Sequence, residues 1–382
     1  MSLAVGAKPG PGRADVVVLG AGLVGLSLGL ALARRGVETV ILDLGDAEGP
    51  FGGGTALPSG AVDAQSRPGP APEALRDLGL LSRNLFGDWI EALEEETGLA
   101  CEYDVRGGLA AALTEGEEVL LDRALDWQRA RALPFEVLPA EEARAREPAL
   151  SAAVRAAFSF PGDGQLAPPR LARALLLASR RAGALVTGPV PVPALHVEAG
   201  CIAGVETPQG LLRADAVVVA AGAATSRVAS LPALPAKAVR TPHLLLDAAA
   251  DGDRLTRFIC GARVLLVPRR DGTLVVSGGA DDGLAPQVSA GEAADLVLAA
   301  AALVPAAVGY PLVASWTSHA SASTDGGPLL GETAVPGLFV AAGEGAGALV
   351  LVPAFALLLA DLLTGRTPPL PVAPFSPARF GL

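Results

Sequence analysis

The chain has 382 residues, 51% of them apolar but only 4% aromatic, so its cores must be built from Ala, Val and Leu rather than from rings. That length suits two or three units of roughly 100 to 200 residues, and the apolar content argues against disorder. The net charge of -11, with only Lys8 and Lys237 as lysines among 29 basic residues, repels a phosphate backbone and argues against nucleic acid as a partner.

Cys101, Cys201 and Cys260 lie far apart without CxxC or Cys/His spacing. No metal site or disulfide framework is expected, and a reducing compartment fits. No apolar run precedes Asp15, so the expectation is a cytoplasmic chain without a cleaved leader. The longest apolar run, 346–360, is about 15 residues where a bilayer needs about 20, and it reads as a buried helix rather than a transmembrane segment.

Residues 15–43 read strand, turn, helix, strand. Val16 to Leu19 form a continuous apolar stretch suited to a parallel strand covered on both faces. The turn Gly20, Ala21, Gly22, Leu23, Val24, Gly25 follows, then an apolar helix stopped by Arg34, Arg35 and Gly36, then Thr39 to Leu42 ending on Asp43 and Leu44. In a dinucleotide fold Gly20 permits the tight turn, Gly22 lets a pyrophosphate approach the backbone, Gly25 lets helix pack on strand, and Asp43 accepts from the adenosine ribose. Phe86 to Thr97 reads as a helix whose Glu94, Glu95, Glu96 run is a solvated face. A second buried strand runs from Ala214 to Ala221 and Gly222. A third, Leu338 to Ala342, feeds Gly343 and another Gly-rich turn and helix. The nucleotide-binding pieces are thus scattered along the chain.

Further blocks are Gly52 to Val62 (GGGTALPSGAV), Asp163 to Pro168 (DGQLAP), Val264 to Gly279 (VLLVPRRDGTLVVSGG), Trp316 to Gly331, which keeps Asp325, Gly326, Pro328 and Gly331, and Ala341 to Pro353 (AAGEGAGALVLVP). In this order they resemble the FAD-dependent oxidoreductases of the D-amino-acid oxidase type, most closely the glycine oxidase-like members. The resemblance implies an α/β fold: a Rossmann-like FAD-binding domain with a central parallel sheet (13–85, 146–225 and 321–382), and an α+β substrate domain on a mixed or antiparallel sheet (86–145 and 226–320). It implies non-covalent FAD held by the first turn, by Thr55, Ala56, Ser59, Gly60 and Ala61, by Ala221 and Gly222, and by Gly343, Gly345, Ala346, Gly347, Ala348 and Leu349. A helix opening near Gly347 would point its amides at the flavin pyrimidine ring.

The resemblance also implies a small amine or amino-acid substrate that yields hydride to flavin N5, then hydrolysis of the imine, with O2 or another acceptor taking the electrons. A homo-oligomer is compatible with it. Three polar positions of that pattern have changed. The Arg that clamps a substrate carboxylate is Ala320, the Tyr that assists it is Leu265, and the His of the C-terminal turn is Glu344. Candidate replacement cations are Arg240, Arg263, Arg269 and His319, although each Arg also reads as a solvated residue and His319 as a structural one. Glu344 could bind a cationic amine, act as a base, or cap the helix. The substrate is therefore expected to be an amine or amino-acid derivative without a free α-carboxylate, or with one held unusually. The alternatives are a glycine or D-amino-acid oxidase with a relocated anchor, and a flavin-binding electron-transfer or interaction subunit.

Overall fold

The apolar run that begins at Val16 occupies the centre of an eight-stranded sheet in the computed structural model, which describes residues 12–45, 58–66, 71–190, 193–250, 252–283 and 285–382. Arg13–Leu19 lies parallel to Thr39–Leu42 on one side and to Gly210–Val219 on the other. Leu185–Thr187 and Leu338–Ala342 extend the parallel set outward, and Leu329–Glu332 closes it antiparallel. Burial on both faces explains why Val16 to Leu19, Thr39–Leu42, Ala216 to Val219 and Leu338–Ala342 read as near-continuous apolar runs rather than as alternating patterns. Helices Leu23–Ala33, Glu73–Thr97, Pro168–Arg181 and Ala348–Leu363 share one core against this sheet. The apolar run near the C-terminus is that last helix, buried over most of its length, and no helix among the described residues is long and apolar enough to cross a membrane.

A second eight-stranded sheet is mixed, as expected. From one edge it runs Leu312–Ser323, Ala236–Asp247, Thr273–Ser277, Leu265–Pro268, Phe258–Cys260, Gly108–Ala112, Ala156–Phe160 and Glu136–Pro139. Only Phe258–Cys260 and Gly108–Ala112 pair parallel. Side chains alternate between faces, and the register assigns each one. Leu244, Leu246, Val264 and Leu266 enter a core with Leu296 and Ala300 of helix Ala290–Leu303. The opposite face carries Val239 opposite Ala320, Thr241 opposite Ser318, and His243 opposite Trp316.

Two expected boundaries move. Residue 85 falls inside helix Glu73–Thr97, whose Leu78, Phe86, Ile90 and Leu93 all pack in the core of the parallel sheet, so the helix stays whole on that side. Segment 146–160, expected with the nucleotide unit, instead supplies Ala156–Phe160 to the second sheet. Apolar stretches of similar composition can join either sheet, and hydrogen-bond partners far along the chain decide which.

Asp163 ties the two halves together. Its fully buried carboxylate accepts the Gln65 and Ser66 N–H groups at 3.1 and 2.8 Å and the Ser66 hydroxyl at 2.7 Å, with Arg83 at 3.5 Å. Burial raises its pKa to about 6 against these hydrogen bonds. Asp163→Ala strands these buried donors, so unfolding free energy from denaturant titration should fall by about 3 kcal/mol or more. An unchanged midpoint would remove Asp163 from the stabilising network.

Candidate functional site

A cavity of about 690 Å³ opens between the carboxyl ends of the parallel strands and the second sheet, the position where open parallel sheets take their ligands. Gly20, with φ of +118°, makes the tight turn; a Cβ there would lie 2.3 Å from the Ala220 carbonyl oxygen. At Gly25 a Cβ would lie 1.8 Å from the Gly20 carbonyl oxygen, so that glycine serves the packing of helix against turn. Gly22 differs: a Cβ there meets no protein atom within 4 Å and projects from the cavity wall. The room left at Gly22 is room for a ligand.

Two helix starts open on this cavity without side-chain caps. Leu23–Ala33 begins after Gly22 and Ala348–Leu363 after Gly347, and neither has an acid in its first turn. Their free N–H groups and positive dipole ends favour a diphosphate at one and an electron-rich ring at the other. Asp43 stands at the end of Thr39–Leu42 on the same wall, and its carboxylate accepts the Gly45 N–H at 3.1 Å. Burial raises its pKa.

Of the residues singled out in the sequence, Gly20, Gly22, Leu23, Val24, Asp43, Leu44, Ser59, Ala61, Ala221, Gly222, Gly345, Ala348 and Leu349 line the cavity, as do Leu265, His319, Ala320 and Glu344. Gly25, Gly60 and Gly343 sit behind the wall. Gly60 would drive a Cβ to 2.2 Å from the Leu166 carbonyl oxygen, and Gly343 has φ of +77°. Ala346 and Gly347 belong to the single turn Gly345–Gly347. Thr55 and Ala56 lie outside the described residues.

The candidate cations separate sharply. Arg269 does not line this cavity; its guanidinium donates to the Leu166 and Ser59 carbonyl oxygens and stitches the second sheet to the segment before Ala61. The substrate role considered for it is thereby replaced by a structural one. Arg240 is 4% exposed and pairs with Glu292 at 2.7 Å and Asp281 at 3.1 Å, behind the sheet. His319 pairs in register with Arg240 and so projects toward that side, although it contributes to the rim. Burial and the Arg240 charge lower its pKa, leaving it neutral at pH 7. Arg263 lines the cavity.

Glu344 is not a cap. It precedes the turn Gly345–Gly347 with no side-chain hydrogen bond to it. Burial pushes its carboxyl up to about 7, partly opposed by its own N–H.

His243 was not singled out as a site residue, yet it forms part of the cavity wall. It is 2% exposed, stacks on Trp316 at 5.0 Å between centroids, and its ring nitrogens meet the Ser277 and Ser318 hydroxyls, each at 2.7 Å. Burial, aided by the Arg269 charge, lowers its pKa to about 3, so it is a neutral, doubly hydrogen-bonded imidazole. The local sequence TPHLLL carries no signal for this, because both partners come from other strands. Thr241 joins the wall from the same face. Among the described residues no cluster of His, Cys, Asp or Glu could hold a metal ion.

The glycine turn, two uncapped helix starts and a strand-end acid, roofed by a second sheet, define a dinucleotide-binding protein whose cavity extends to the face of that sheet. A family model described as DAO, FAD dependent oxidoreductase, matches residues 15–362, and the chain belongs to that family. Its cofactor is FAD. The chain is 33% identical over 380 residues to a glycine oxidase of Geobacillus kaustophilus, covering 96% of this chain and 97% of the relative. Superposition on the crystal structure of glycine oxidase from that organism gives a TM-score of 0.89 at 32% identity, over 96% of this chain and 99% of the other. It is also 28% identical over 356 residues to a bifunctional protein ThiO/ThiG of a Nostoc species, covering 91% of this chain but only 52% of that longer protein.

Proposed function

We propose that the protein oxidises the carbon–hydrogen bond next to nitrogen in an amine or amino-acid derivative whose carboxylate, if present, is not held in the interior of the second sheet. One observation carries the reading: Ala320 and Leu265, where the family pattern has a carboxylate clamp, are cavity-wall residues with no charge to offer. A buried charged hydrogen bond contributes about 1.5 to 3 kcal/mol, so its loss cannot be neutral for a substrate that depends on it.

FAD bound in the cavity supplies the two-electron acceptor. The chain contributes orientation and one proton site. Oxidation needs the neutral amine, and Glu344, titrating near pH 7, accepts the proton of an ammonium group brought against it. The neutral His243, fixed by two serines, gives a rigid uncharged wall. The imine leaves the site and water hydrolyses it. No lysine lines the described cavity, which supports slow turnover with O2 and faster turnover with another electron acceptor.

The test is the visible spectrum under anaerobic conditions with a panel of amines, N-methyl amines and D- and L-amino acids. Bleaching of the flavin by members of the panel supports the reading, and dye reduction should then outpace O2 consumption. A flavin that no member bleaches would sink it and leave an electron-transfer subunit. Denaturation should release the FAD into the supernatant.

A further inference from the structure

The strand pairs that form the cavity roof end in a hairpin whose tip reaches the cavity. Cys260 pairs with Leu265, the Gly261 N–H donates to the Val264 carbonyl at 2.8 Å, and Ala262 and Arg263 form the two-residue tip. Val264 and Leu266 pack in the core beneath helix Ala290–Leu303, and the hairpin from Cys260 to Leu265, Arg263 and Leu265 included, borders the cavity. Arg263 is exposed. Among the described residues lining the cavity it is the one Arg or Lys.

The other candidates are spent. Arg240 is committed to Glu292 and Asp281, Arg269 to two backbone carbonyls, and neither lines the cavity. His243 and His319 are neutral at pH 7. The described wall carries acids as well, Asp43 and Glu344 among them. A free carboxylate entering this cavity therefore meets one cation, at its exposed edge, while the acid proposed to receive an ammonium group is half-buried in the wall.

We infer that Arg263 is the carboxylate-recognising residue of this site, so that its preferred substrates are amino-acid-like zwitterions entering nitrogen first with the carboxylate held at the mouth. This rests on the amine-oxidation reading and names the substrate class within it. A guanidinium presents a planar pair of donors to a carboxylate, which an ammonium cannot reproduce. Arg263→Lys should accordingly recover only part of what Arg263→Ala loses.

The test uses FAD-loaded wild type, Arg263→Ala and Arg263→Lys. Benzoate and the uncharged benzamide are titrated against the flavin absorbance, and KM and kcat are measured for amino acids and for carboxylate-free amines. Benzoate should bind about tenfold more weakly to Arg263→Ala, with Arg263→Lys between, and benzamide should not distinguish the three. The amino-acid KM should rise by a similar factor with kcat little changed, as expected for an interaction made equally in ground and transition states. Because the residue sits exposed at a hairpin tip, unchanged circular dichroism and melting serve as the fold control. Equal benzoate affinity in wild type and Arg263→Ala overturns the inference. So does bleaching confined to carboxylate-free amines, which leaves the amine-oxidation reading standing. Absence of bleaching by any amine or amino acid overturns both.

Discussion

Glu344→Gln should lower kcat/KM at pH 8 by about 100-fold or more, the range for a lost proton acceptor, and should flatten the pH profile. In the wild type burial holds the carboxyl near 7 instead of 4.5, so below pH 7 it is protonated and accepts nothing. Activity should therefore rise with pH through that value, and the variant should lack this limb. Stability carries the opposite sign. The folded pKa lies above the unfolded one, so between about 4.5 and 7 the native state binds more protons than the unfolded state and stability falls as pH rises across that window. Glu344→Gln removes this dependence and should be the more stable protein above pH 7, by up to roughly 3 kcal/mol. Variants with identical pH profiles would reduce Glu344 to a wall residue, and a stability gain without a kinetic change would show a buried acid with no part in proton transfer.

A pair of glycine substitutions separates ligand room from folding room. Gly22→Val should abolish flavin binding while leaving the melting temperature of the FAD-free protein within about a degree or two of the parent, because a Cβ there meets no protein atom within 4 Å and borders the open cavity. Gly25→Val should lose both, since even a Cβ would overlap the Gly20 carbonyl oxygen at 1.8 Å. The cost of that overlap, on the order of several kcal/mol, falls on the packing of helix Leu23–Ala33 against its own turn. Flavin retained at wild-type stoichiometry in Gly22→Val would mean that the diphosphate lies elsewhere. A large loss of melting temperature in FAD-free Gly22→Val would mean that the glycine is structural.

The contrast between these glycines marks what was legible from order along the chain. Strand, glycine turn, helix and strand-end acid lie within about 30 residues, and each is set by its own neighbours: β-branched runs, a positive φ, a helix stop. Their meaning survives without knowledge of the rest of the molecule. Helix Glu73–Thr97 is less local. Its apolar spacing is visible, yet the sheet it covers is not, and the expected boundary at 85 cut it in two.

The polar residues of the second sheet were the least legible. His243, Arg240, Arg263 and Arg269 occur within about 30 residues, and nothing in that stretch distinguishes a neutral wall imidazole, a buried ion pair, a cavity cation and a backbone clamp. The partners decide: Ser277 and Ser318, Glu292 and Asp281, open cavity, and the Ser59 and Leu166 carbonyls. The sequence by itself determined the class of cofactor and the parallel sheet that binds it, because backbone turns and apolar runs are short-range features. Only the tertiary structure decided which charges face the substrate, because a side chain's charge and availability depend on the groups brought against it from distant strands.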